Sequence, residues 1–203
     1  MNWLEVVGWI GSLLVIVSLM QARVLRFRWL NLAGAAIATV YNAVIGVWPF
    51  AVMNGVITII DIYWLAKLLR ERHDDGAYEV VEVAPDDAYL AHLMRVHADD
   101  IARFRTVPGA AADAAFLVAR GDEAVGVVLV RDEGEGVGRV DLDWVTPRFR
   151  DFTPGEFVYR RSGVFADKGY RELVHADVPG SREYLGRVGF TQAGAEWVRP
   201  VAA

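Results

Sequence analysis

The sequence predicts a two-part fold: an N-terminal all-α transmembrane three-helix unit, followed by an α/β domain. Three observations carry this reading. Residues 1–70 hold three successive apolar stretches. The charge balance then changes sign: residues 1–76 carry 6 Lys and Arg against 5 Asp and Glu, net +1, and residues 77–203 carry 15 against 21, net −6, which gives the chain its −5. Beyond residue 78 the long apolar runs give way to short alternating segments punctuated by Gly, Pro and Asp. A chain of 203 residues that is 54% hydrophobic is not disordered. The absence of cysteine excludes a disulfide scaffold and a Cys-ligated zinc site. The acidic balance argues against a nucleic-acid partner.

The first apolar stretch, residues 3–20, has Glu5 as its only charge. The second, residues 29–47, has none. The third, residues 50–69, is interrupted by Asp61 and Lys67. Each has roughly the 20 residues that a ~30 Å hydrocarbon core requires. No basic side chain precedes the first run, so it reads as a retained helix and not as a cleaved signal peptide. Arg23, Arg26 and Arg28 follow the first stretch, and Lys67, Arg70 and Arg72 end the third. The opposite side carries only the N-terminus and the turn Gly46-Val47-Trp48-Pro49. The positive-inside rule therefore puts the N-terminus outside and the C-terminal domain in the cytoplasm. Trp3, Trp29, Trp48 and Trp64 fall near the expected interfaces, where indole prefers to sit.

Asn54, Thr58 and Asp61 are spaced to share one face of the third helix, with Tyr41 and Asn42 of the second as neighbours. This polar stripe, Asn42, Asn54, Thr58 and Asp61, reads either as a solute path or as hydrogen-bonding glue between helices. Gly8-x-x-x-Ser12 and Gly34-x-x-x-Ala38 would allow close helix approach. Three short spans, a tight second turn and an early asparagine in the third helix resemble the SemiSWEET or PQ-loop half-transporters. The resemblance covers residues 1–70 and implies a homodimer around a central path, with Asn54 at the pocket asparagine. At Gln21-Ala22 the family's proline is missing. The bacterial YgjV-like inner-membrane family has a similar layout and is the nearer likeness.

These features divide the chain into a membrane unit over residues 1–72, a linker over 73–77 and a domain over 78–203. The domain opens with an alternating strand at 78–83. Pro85-Asp86-Asp87 then starts a helix that runs to about 104, because proline and acidic residues suit a first turn. Strands follow at 115–119, 125–130 and 139–145, with a turn at residues 134–138. A helix over 154–168, a strand over 173–178, a helix over 181–188 capped by Ser181 and a last strand near 195–198 complete the order β-α-β-β-β-α-β-α-β. His92, His97 and His175 lack metal-ligand spacing and read as surface residues, so no metal is expected.

That order, with the ending Arg187-Val188-Gly189-Phe190, resembles the GNAT family of acyl-CoA N-acyltransferases over residues 78–200. The resemblance implies acetyl-CoA as cofactor, an amine acceptor and a phosphate-holding loop after the fourth strand. Val145, Arg148, Arg150, Thr153 and Gly155 fall in that loop. It carries a single glycine, and Pro154 removes one backbone donor. The family's carboxylate base and tyrosine acid map onto Asp141 or Asp143, expected to share a strand face, and onto Tyr184. Leu185 holds the usual tyrosine position. Three functions stay open: a membrane-anchored N-acetyltransferase, a small SemiSWEET-like transporter or membrane-anchored sensor with a non-catalytic GNAT-like domain, and an interaction module on an anchor.

Overall fold

The computed structural model of the chain describes residues 3–71, 78–105, 111–150, 154–178 and 180–201. The expected linker, residues 73–77, lies outside them. The chain forms two compact units: Met1–Asp74 with Pro147–Phe152, and Asp75–Thr146 with Thr153–Ala203.

The first unit contains helices α1 (Trp3–Leu19), α2 (Val24–Val44) and α3 (Trp48–Glu71). The second helix begins well before the expected residue 29. Arg26 and Arg28 are good helix formers and no Gly or Pro interrupts the run, so two of the expected loop arginines are helical. Gly46 turns the chain with φ +79°, and Pro49 lies in the first turn of α3, where its missing N–H is tolerated. The small residues pack α1 against α2 within the chain. A Cβ on Gly34 would stand 2.9 Å from the Gly11 carbonyl oxygen, and one on Gly8 would meet the Tyr41 ring at 2.8 Å. Among the described residues one helix, Trp48–Arg70, is long and apolar enough to cross a membrane, and the apolar helix Glu5–Leu19 is shorter. The outer faces of all three helices are apolar and exposed, among them Trp9, Leu13, Ile16, Val40, Val52 and Ile59.

The second unit is a seven-stranded sheet in the order β1-β2-β3-β4-β5-β7-β6. Its strands are β1 (Glu79–Val83), β2 (Ala114–Arg120), β3 (Glu123–Gly134), β4 (Val137–Val145), β5 (Glu172–Ala176), β6 (Thr191–Ala193) and β7 (Glu196–Pro200). Every neighbouring pair is antiparallel except β4 and β5. The helices are α4 (Ala88–Val96), α5 (Ala98–Ile101), α6 (Pro154–Arg160), α7 (Val164–Asp167) and α8 (Arg182–Val188). The domain is thus an α/β mixed sheet, with three departures from the sequence reading. The first expected helix is split at His97 into α4 and α5. The second is split where Gly163 takes φ +72°, and the last strand is a β6–β7 hairpin.

Alternating side chains build two cores on the sheet. Leu117, Val127, Leu129, Leu142 and Trp144 pack with Leu90, Leu93 and Ile101 of α4 and α5. On the opposite side Phe116 meets Phe165 edge-on at 5.4 Å, and Phe165 in turn stacks on Tyr159. Asp87, expected in the first turn, is instead the cap of α4, accepting from the Tyr89 and Leu90 amides at 2.9 Å each, and Pro85 lies before the helix. Asp87→Ala should cost about 1 kcal/mol in a denaturant titration of the full chain. Ser181 does not cap α8. Its hydroxyl donates instead to the Val178 carbonyl at 2.7 Å.

Two features of β4 position the site. Leu129 pairs with Leu142 and Val130 with Val140, so Asp141 is an extra residue in the ladder, a β-bulge. Pairing with β5 covers only Val137–Val140, opposite Glu172–His175, whereas β4 continues to Val145. Beyond the bulge β4 therefore parts from its pairing with β5, which ends at Ala176, and at Leu142 an isolated antiparallel bridge from Arg105 meets its edge instead.

Candidate functional site

Asp143 lies on the stretch of β4 beyond that parting. Its Oδ2 accepts a 2.7 Å hydrogen bond from the Tyr184 hydroxyl of α8, so the structure joins two of the residues singled out in the sequence. Tyr184 points to the sheet beside the fully buried Leu185, and the rotation of one helix position between them does not carry it away. Burial pushes the Asp143 carboxyl above its ordinary range, opposed by the Tyr184 hydrogen bond and by the nearby His175. Burial and the adjacent Asp143 hold the Tyr184 hydroxyl well above the usual tyrosine range.

Asp141 does not share this site. The bulge interrupts the two-residue alternation between the two carboxylates. Asp141 is instead held by Arg131, whose Nε and Nη2 donate to its two oxygens at 3.0 Å each. A bidentate pair of this kind fixes the carboxylate's orientation and occupies both of its oxygens.

Gly155 opens α6, and its bare face is filled: a Cβ there would overlap the Tyr184 hydroxyl oxygen. The absent side chain thus serves Tyr184 and not a phosphate. Val145 ends β4 in the second unit, while Arg148 and Arg150 belong to the first. Thr153 lies outside the described residues. The Thr146 hydroxyl, next to Val145, is buried without a hydrogen-bond partner.

Sequence reasoning missed two residues of the site. Tyr159 of α6 is 4% exposed, and its hydroxyl lies beside the Asp143 carboxylate. His175, expected at the surface, is buried on β5. Tyr159 sits in a helix of mixed composition with no motif around it, and only the fold brings it to Asp143. His175 carried a usable signal, because it lies between Val174 and Ala176 in an apolar strand. Among the described residues no group of His, Asp and Glu is arranged to hold a metal ion.

In the helical unit the residues of the polar stripe bond to groups of the same unit. Asn42, Asn54 and Thr58 donate to the carbonyls of Ala38, Phe50 and Asn54, each one turn back on its own helix. Asp61 is 1% exposed and has two partners on α2. Arg28 Nη1 donates to Oδ1 at 2.8 Å and Asn31 Nδ2 to Oδ2 at 2.6 Å.

No known family profile matches the chain. An uncharacterised protein of Haemophilus influenzae is 27% identical over 70 residues, 34% of this chain and 91% of that protein. Among solved structures, an acetyltransferase from Streptococcus agalactiae is similar with a TM-score of 0.46 and 14% identity, over 61% of this chain and 98% of that one. N-acetylglutamate synthase from Neisseria gonorrhoeae, solved with coenzyme A and L-arginine, gives a TM-score of 0.46 at 14% identity. That likeness covers 61% of this chain and 34% of the synthase.

Proposed function

We propose that the chain is a membrane-anchored N-acetyltransferase of GNAT type. Its three helices lie in the inner membrane, and its sheet domain works in the cytoplasm with acetyl-CoA and an amine. The observation that carries the reading is the parting of β4 from β5 beyond Val140, with the Asp143–Tyr184 pair set on the parted strand. The stretch of β4 beyond the Arg105 bridge at Leu142, with the orphaned Thr146 hydroxyl, suits the amide-rich arm of an acyl thioester, which needs hydrogen-bonding groups along an extended path. Residues 143–146 would hold that arm. When bound, the cofactor supplies an activated acyl group. The filled face of Gly155 gives the phosphates no cradle, so their charge falls to other donors.

The protein's own part is proton handling. Asp143, raised by burial, is poised to accept a proton at its carboxylate from an ammonium. Tyr184 keeps its proton at neutral pH and holds it at the same spot. The membrane assignment is supported by the exposed apolar faces of the helices and by the cations gathered at one end. An anchor accounts for the helical unit better than a solute path does, because the polar stripe is bonded to its own helices.

The test is thiol release from acetyl-CoA by the full chain in detergent, offered a panel of primary amines. Asp143→Asn and Tyr184→Phe should each lower turnover by about 10²-fold or more. Variants that turn over like the unmodified chain would contradict the assignment.

A further inference from the structure

We infer that Arg160 and Arg199 form a site for a phosphate monoester at the end of the sheet away from Asp143. The site is separate from the proposed acyl-donor path and stands independently of the acyltransferase reading.

Strand pairing gives the separation. Arg199 of β7 lies opposite Leu173, near the start of β5, whereas β4 and β5 part beyond the Val140–His175 pair, toward the other end. Helix α6 runs between the two regions: Gly155 in its first turn faces Tyr184, and Arg160 is its last residue. Arg160 and Arg199 line a cleft of about 300 Å³, part of it open to solvent. Its other walls include Val158, Gly163, Phe165 and Ala166, and among the described residues no carboxylate lines it. Asp167 stands at the rim beside Gly163.

The two cations are crowded together. A Cβ on Gly189 would stand 3.2 Å from Arg199 Nε and 4.0 Å from Arg160 Nε. The end of α8 fixes both side chains. Arg160 Nη2 donates to the Arg187 carbonyl at 2.6 Å, and Arg199 Nε donates to the Val188 carbonyl at 3.1 Å. Arg199 Nη1 reaches the Pro200 carbonyl at 3.4 Å. These bonds leave most of the N–H groups of each guanidinium unused, and they neutralise neither charge. Among the described residues Arg199 has no carboxylate partner. Arg160 has Glu156 at 3.9 Å, a partly exposed pair that contributes little. Burial, and then the like charge of Arg160, lower the Arg199 guanidinium below its usual range, with Tyr159 opposing. Elsewhere in the domain Arg131, Arg139 and Arg182 each hold a carboxylate. Residues 77–203 carry 21 acidic side chains to 15 basic ones, so acids are in excess, and yet these two arginines stand side by side without one between them. The missing anion is one that the chain does not supply.

The pair selects the anion. A phosphate monoester carries roughly −1.5 to −2 charges near neutral pH and offers three acceptor oxygens, enough for two guanidinium forks. A monocarboxylate would neutralise one arginine and leave the other. Apolar walls keep water from screening the attraction. Such an ester is either free in solution or the headgroup of a lipid.

The test titrates the full chain calorimetrically, in phosphate-free detergent buffer, with inorganic phosphate and with acetate. The unmodified chain should bind phosphate and not acetate. Arg160→Gln and Arg199→Gln each keep an N–H for the α8 carbonyl and should bind phosphate at least about tenfold more weakly. Ligand-free, both should melt no lower than the unmodified chain, because each removes a like-charge contact. Saturating acetyl-CoA should leave the phosphate affinity unchanged. Displacement of phosphate by glycerol phosphate marks a soluble ester, and displacement by phosphatidic acid in mixed micelles marks a lipid headgroup; displacement by neither overturns the assignment. Absence of phosphate binding overturns it, as does unchanged binding by the two variants, because the arginines then serve only the end of α8. Competition from acetyl-CoA also overturns it, because the arginines then serve the acyl donor. A chain that binds phosphate but not acetyl-CoA keeps this site and loses the acyltransferase reading; the reverse result keeps that reading and loses the site.

Discussion

Asp61→Ala is expected to destabilise the three-helix unit by about 3 kcal/mol. The carboxylate is enclosed between α3 and α2 and holds two donors, Arg28 and Asn31. Removing it leaves a guanidinium facing an apolar seam with its Nε already buried and unbonded. Deleting one member of a buried ion pair typically costs 3–5 kcal/mol. The lower end applies here because the Arg28 side chain keeps 24% of its surface exposed. The cation also lies 5.8 Å from the Trp64 ring, which retains part of its stabilisation. Unfolding of the full chain by denaturant in mild detergent measures the loss. The double variant Arg28→Met with Asp61→Ala should recover much of it, since removing both charges removes the unpaired one. Additive losses would mean that the two side chains do not act as a pair.

Gly155→Ala should lose about 2–4 kcal/mol, against the sign that helix propensity gives. Gly155 has an ordinary helical backbone, so alanine there would normally stabilise by ~0.4–1 kcal/mol through the unfolded chain. The added methyl would instead overlap the Tyr184 hydroxyl. Relief requires α6 or α8 to shift, at about 1–3 kcal/mol for overpacking. It also breaks the bond to Asp143 and leaves a buried carboxylate undersatisfied, for about 1–3 kcal/mol more. Tyr184→Phe placed on Gly155→Ala removes the oxygen that clashes and should restore part of the loss. Thermal melts of the three variants read this directly. A Gly155→Ala chain as stable as the unmodified one would mean that Tyr184 does not occupy that face.

Much of the architecture is legible along the chain because it is local. The Pro-Asp-Asp run marks the start of α4 within a few residues, Gly46 and Pro49 set the second helical turn, and every sheet strand but β6 lies within a few residues of a segment that reads as a strand. The departures are where a single residue acts at long range or breaks a period. Arg26 and Arg28 look like loop residues by charge, yet their helix propensity carries α2 back to Val24. Gly163 in its left-handed conformation ends α6 within what reads as one amphipathic helix. The bulge at Asp141 is invisible in composition, and it separates Asp141, bound to Arg131, from Asp143, bound to Tyr184. The candidate site is less legible for the same reason. Tyr184 meets Asp143 across 41 positions of chain, and Arg28 meets Asp61 across 33. Neither pairing has a local signature. The orphaned Thr146 hydroxyl becomes visible only when every buried polar group among the described residues is asked for its partner.

The most direct measurement is hydrogen exchange of the full chain in detergent, with and without saturating acetyl-CoA. Slower exchange on binding, concentrated in residues 141–146 of the parted strand and in α6 and α8, is the predicted result. Unchanged exchange in those segments at saturating acetyl-CoA would contradict it.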